Sequence, residues 1–142
     1  MSGESLTYQL LRLVHAMDDA TNAGIDDVLT ELRLTHALAD ALWQLDPAAP
    51  PPSMRQVATR LRCDPSTVTF LADRLAELGY ATRAPAPGDR RSKALHLTDA
   101  GRAARRRLVE AATRHTPIAR LTDAEQRRLH TLLTKAMTPP VL

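Results

Sequence analysis

One short stretch sets three hydroxyls and an aromatic beside an acid and a proline: Asp64-Pro65-Ser66-Thr67-Val68-Thr69-Phe70, with Arg74 one helical turn on. Ser66, Thr67 and Thr69 can donate or accept hydrogen bonds at base edges or phosphates. Simple first-turn capping is the plainer use of Ser66 and Thr67. Phe70 either meets a thymine methyl or packs on a neighbouring element, and Arg74 either meets a phosphate or pairs with Glu77. Further along, Asp89-Arg90-Arg91-Ser92-Lys93 concentrates positive charge. Arg90 or Arg91 suits a narrow minor groove, where negative potential is concentrated. Asp89 is a poor contact for DNA and suits a charge-assisted hydrogen bond that holds one of those arginines. The plain alternative there is a solvated loop.

Catalytic and metal chemistry find no such pattern. Cys63 is the single cysteine, which excludes an internal disulfide framework and any multi-cysteine metal site. His15, His36, His96, His115 and His130 are scattered, without HxxH or HxxxH spacing. There is no Gly-rich phosphate loop and no Ser-His or Cys-His motif, so neither an enzyme nor a cofactor is expected. Cys63 is expected to be a buried, inert thiol.

These residues need elements to hold them. Ser53-Met54-Arg55-Gln56 is a capping box that opens a short helix running to about Leu61. Asp64 caps the next helix and Pro65 takes its first position, which leaves a helix end whose free N–H groups suit a phosphate. That helix carries Val68, Leu71, Leu75 and Leu78 on one face, and Gly79 ends it. Two short helices joined by a tight turn form a helix-turn-helix pattern. Residues 80–84 and 93–97 read as two strands around a loop at 85–92, a small hairpin with a basic tip. Thr98 caps a helix to about His115, and Thr122-Asp123-Ala124-Glu125 opens a last one carrying Leu129, Leu132, Leu133 and Met137. Upstream, Asp46 to Pro52 reads D-P-A-A-P-P-P and cannot be helical. Before it, Thr35 caps a helix to about Leu45. Leu6, Leu10, Leu13, Val14 and Met17 recur at helical spacing, and the pattern resumes at Ile25, leaving either one long helix or two with a break at Gly24.

The chain has 142 residues, 44% hydrophobic and 25% charged, with only four aromatics. A core of Leu, Val and Ala favours packed helices over a sheet sandwich. The fold class expected is mainly α (α+β). Net charge is +3, unevenly spread. Residues 1–50 hold two basic residues against eight acids, and residues 51–110 hold twelve against six. A basic middle suits a polyanion. No apolar run reaches the ~18–20 residues that span a bilayer, and Met1 to Leu10 lacks the basic start and apolar stretch of a signal peptide. A cytoplasmic protein without a membrane partner is expected.

The order of elements, with Ser53-Met54-Arg55-Gln56-Val57-Ala58, Asp64 to Thr69, Leu71-Ala72-Asp73-Arg74-Leu75, Gly79-Tyr80, Arg83, Asp89-Arg90-Arg91 and Leu97-Thr98-Asp99-Ala100-Gly101, resembles the MarR family of bacterial transcription regulators. The resemblance is strong over residues 53–101. It departs at Phe70, where the family usually has a basic residue. It implies a winged helix-turn-helix with a two-strand wing and flanking dimerisation helices: a DNA-binding lobe at 35–98, with helices at 1–34 and 99–142 forming a homodimer. Ser53, Ser66, Thr67, Thr69, Phe70, Arg74, Arg90, Arg91 and Lys93 are then the expected contacts to a palindromic double-stranded operator, with Asp89 orienting the wing. The function implied is a repressor released by a small-molecule effector, with His15 and Trp43 as candidate ligand contacts. A winged-helix protein-interaction module or anti-regulator that does not bind DNA is the alternative, supported by Phe70.

Overall fold

The computed structural model describes residues 3–141. Among these, seven α-helices and one two-stranded antiparallel sheet follow one another in the order α1 (Leu6–Gly24), α2 (Asp26–Leu32), α3 (His36–Trp43), α4 (Met54–Leu61), α5 (Pro65–Glu77), β1 (Ala81–Ala86), β2 (Asp89–Leu97), α6 (Asp99–His115) and α7 (Asp123–Met137). A 3-10 turn, Pro117–Arg120, links the last two helices. The fold is a mainly helical winged helix. The chain forms two compact units, residues 25–111 and residues 1–24 with 112–142.

The larger unit is built around leucines. Leu42 and Leu75 are fully buried, and Leu38, Leu45, Val57, Val68, Leu95 and Leu108 join them. The helices that deliver these side chains start where side-chain oxygens replace missing backbone partners. Thr35 Oγ1 accepts the Leu38 N–H at 3.2 Å. Ser53 and Gln56 close a reciprocal capping box at 3.1 and 2.9 Å. Thr98 Oγ1 accepts the Gly101 N–H at 3.0 Å. Each such cap satisfies a first-turn donor that the helix itself cannot.

Helix α5 ends at a glycine for a conformational reason. Gly79 has φ +80°, and the N–H groups of Gly79 and Tyr80 fold back onto Ala76 O and Leu75 O at 3.0 and 2.9 Å. A left-handed residue at this place closes a helix with little cost only when it is glycine. Tyr80 then donates its hydroxyl to Leu32 O at 2.9 Å, tying the helix end to α2.

The wing is longer than the sequence suggests. Residues 85–92, expected as loop, belong to the two strands except for a tight turn at Pro87-Gly88. Gly88 supplies the positive φ of that turn, and a register irregularity between Pro85, opposite Lys93, and Ala86, opposite Asp89, absorbs residues 90–92 of β2. Pro85 is tolerated because each strand of a two-stranded sheet has a free edge that needs no N–H.

In the smaller unit α1 ends at Gly24, and Ile25, with φ −103° and ψ 2°, separates it from α2. The two-helix alternative is therefore the one realised. Gly24 lies against His115: a Cβ built there would fall 2.5 Å from His115 Cβ. Thr21 Oγ1 lies 2.8 Å from Thr116 Oγ1. α7 opens with the Thr122–Glu125 capping box. Neither α1 nor α7 buries any residue, and Leu6, Leu10, Leu13, Val14, Leu132, Leu133 and Met137 are all exposed.

Candidate nucleic-acid interface

Helix α5 presents one face to the core through Val68, Leu71, Ala72 and Leu75. The opposite face carries Ser66, Thr67, Thr69 and Phe70, all exposed. Its N-terminus differs from the sequence expectation. Asp64 Oδ1 accepts the Thr67 N–H at 2.9 Å, the Ser66 hydroxyl at 2.7 Å and the Thr67 hydroxyl at 2.9 Å. Pro65 has no N–H, and the Val68 N–H goes to Asp64 O at 3.2 Å. The helix end therefore holds its own carboxylate, whose negative charge opposes a phosphate there. The Ser66 hydroxyl, with the Thr67 N–H and hydroxyl, holds the Asp64 carboxyl below its ordinary pKa.

The remaining polar groups of α5 are also engaged. The Thr69 hydroxyl donates to Pro65 O at 3.0 Å. Arg74 pairs with Glu77, the plainer of its two expected uses. Asp73 pairs with Arg83 of β1, which ties the exposed face of α5 to the wing. Opposite charges on two elements joined by a tight turn are the sequence signal for this pair. Phe70 is 62% exposed, so packing on a neighbouring element does not describe it.

At the wing, Arg90, Arg91 and Lys93 are exposed on β2. Asp89 does not hold an arginine side chain as expected. Its Oδ1 accepts the Arg91 backbone N–H at 3.0 Å. The carboxylate lies two residues before that N–H, close enough to close an Asx-type turn, so it shapes the main chain at the tip. Ser53 is half-buried, its hydroxyl is the α4 cap, and its backbone bridges to Ala94. Arg55, Arg60 and Arg62 of and beside α4 are exposed and add to the positive charge of this unit.

The candidate ligand contacts lie in different units. His15 is exposed on α1. Trp43 is 42% exposed, and its carbonyl accepts from the Arg105 guanidinium at 3.3 and 3.1 Å. Arg105 also lines a cleft of about 300 Å³ with Pro47, Arg102, Arg106, Val109 and Glu110, a lining rich in cations. Cys63 is half-buried rather than buried. Among the described residues, no group of three or more His, Cys, Asp or Glu is placed to hold a metal, and no helix is long and apolar enough to cross a membrane.

Residues 34–92 match the model of the MarR family. The HTH-type transcriptional regulator PecS of Dickeya dadantii is 37% identical over 91 residues, which are 61% of this chain and 54% of PecS. The chain thus spans about half the length of that curated relative. The transcriptional repressor CouR, solved bound to a 23-mer DNA duplex, is 30% identical, with 94% of this chain and 89% of that chain covered and a TM-score of 0.65. CouR from Rhodococcus jostii RHA1, solved with p-coumaroyl-CoA, aligns over 99% of both chains with a TM-score of 0.76 and 22% identity, a likeness of fold.

Proposed function

The chain belongs to the MarR family of transcriptional regulators, and from that premise we propose that it is a homodimeric, sequence-specific DNA-binding repressor released by a small-molecule ligand. The observation that carries DNA binding is the similarity over nearly the whole chain to a repressor solved on duplex DNA, together with the bare outer face of α5. In this reading the lobe at 35–98 contacts DNA, and helices at 1–34 and 99–142 make the dimer. α5 enters the major groove, where Thr69 and Phe70 meet base edges. Arg90 or Arg91 enters the adjacent minor groove, and Lys93 meets phosphate. Ser53, Ser66, Thr67 and Arg74 complete the contact surface, and Asp89 sets the backbone from which Arg91 projects.

The homodimer is supported by the apolar side chains that α1 and α7 leave exposed. A twofold dimer implies a palindromic operator with half-sites about one helical turn, roughly 10 base pairs, apart. Release requires a ligand that binds one arrangement of the protein better than another. The cation-lined cleft beside Arg105 suits an acidic small molecule, and the same Arg105 donates to the Trp43 carbonyl.

Selection of genomic fragments by the full-length protein tests this reading. Enrichment of a few palindromic sites supports it; fragments recovered without shared sequence count against it. The second reading, a protein-interaction module that does not bind DNA, draws on the exposed Phe70 and the pairing of Arg74 with Glu77. It gains if no fragment is retained at moderate salt.

A further inference from the structure

The hydroxyls on the outer face of α5 have a defined polarity. Each carries one proton, and each proton is directed inside the chain: Ser66 and Thr67 donate to Asp64 Oδ1, and Thr69 donates to Pro65 O. Hydrogen bonds to an ionised carboxylate are roughly twice as strong as neutral ones, so turning Ser66 or Thr67 outward to donate gives up a strong bond. What remains for an outside partner is the oxygen lone pairs. The one cation on this helix, Arg74, lies a turn beyond Phe70 and pairs with Glu77. Phe70 adds an exposed apolar ring one turn from Ser66 and Thr67. The face offers acceptors and a hydrocarbon surface, and its hydroxyl donors are committed internally.

Phosphate oxygens and guanine's O6 and N7 are all acceptors, and against these hydroxyls they would set lone pair against lone pair. Adenine presents its N6 amino donor in the major groove, and its partner thymine presents a methyl. Cytosine's N4 amino could also satisfy a hydroxyl oxygen, but a G·C pair brings no methyl for Phe70. We infer that the α5 face of this chain reads A·T pairs in each half-site, with the Ser66, Thr67 and Thr69 oxygens accepting from adenine N6 and Phe70 covering the thymine methyl, and that Asp64 is the positioning residue that sets this polarity. The inference rests on the proposal that α5 is the DNA-reading helix.

The test uses the full-length chain and duplexes with a randomised core. Positions read by α5 are those whose enrichment changes in Phe70→Ala, and they are expected to be A·T. Binding is then measured on the selected duplex with one analogue at a time at those positions. Replacing adenine by 2-aminopurine removes the N6 amino group and should weaken binding by about fivefold or more. Replacing thymine by deoxyuridine removes the methyl and should weaken it by about fourfold. Replacing adenine by 7-deazaadenine removes only N7 and should change affinity by less than about twofold, because no hydroxyl donor is free to read N7. Asp64→Asn keeps an oxygen for the helix cap and weakens the hold on both hydroxyls. It should lower the preference for A·T over G·C at these positions, an effect a purely structural role would not produce. Enriched G·C at the α5 positions, a core unaltered in Phe70→Ala, or a loss on 7-deazaadenine without one on 2-aminopurine would each overturn the inference while leaving DNA binding intact. A library in which no sequence is enriched removes the premise itself.

Discussion

Arg62 closes α4 at φ 52°, a left-handed conformation that costs a side-chain-bearing residue about 1–2 kcal/mol. Arg62→Gly should therefore raise the melting temperature, by an amount corresponding to roughly 1 kcal/mol, as read by thermal unfolding. Asp64 carries a different kind of local stabilisation. Its carboxyl is held below the usual range by the Ser66 hydroxyl and by the N–H and hydroxyl of Thr67. A lowered folded-state pKa means that the stabilisation is present above the unfolded value, around pH 4, and fades as pH falls through the lowered one. Acid titration of unfolding should show this as a stability loss below about pH 4 that Asp64→Asn reduces. The wing arginines make a third prediction. Arg90→Ala and Arg91→Ala should weaken binding to specific and scrambled DNA alike, and the salt slope should drop by about one per lost phosphate contact. If neither variant loses affinity for scrambled DNA, the wing does not touch the duplex.

Helix starts follow local rules, and that is why they could be read from the sequence. Thr35, Ser53 with Gln56, Asp64 with Pro65, Thr98, and Thr122 with Glu125 each cap the helix their spacing announces. The break at Ile25 and the length of the wing were not fixed by such rules. Strand pairing past Pro85 depends on a register irregularity and on a turn at Gly88, neither of which has a period to detect. The exposed face of α5 was legible as a set of residue types, but the direction of its hydroxyl protons was not, because that depends on where Asp64 places one oxygen. Close approaches between elements are equally hidden in sequence. Gly101 opens the core side of α6, and a Cβ there would fall 1.8 Å from Tyr80 O. Gly101→Ala should force α6 off the α5–β1 junction and destabilise the fold by about 1–3 kcal/mol, visible in chemical denaturation. An unchanged midpoint would mean that α6 can shift freely.

Apolar side chains left bare on α1 and α7 are the feature of the molecule that most needs a partner, and a second copy is the partner proposed. Scattered exposed leucines are ordinary, whereas Leu6, Leu10, Leu13 and Val14 share one helical stripe. Leu13→Asp should shift sedimentation toward a monomer and weaken DNA binding together, since a palindrome is held by both halves. Loss of binding with an intact dimer would place Leu13 in some other role. The uneven charge, acidic over residues 1–50 and basic over 51–110, is consistent with one region turned to DNA. Equilibrium binding of the full-length protein to a selected palindromic fragment and to its scrambled counterpart, at the same salt concentration, decides most directly whether this is a sequence-specific regulator. Two chains per duplex and an affinity at least about 1,000-fold higher for the selected fragment are expected. Equal affinity for both duplexes, or no binding to either, would contradict it.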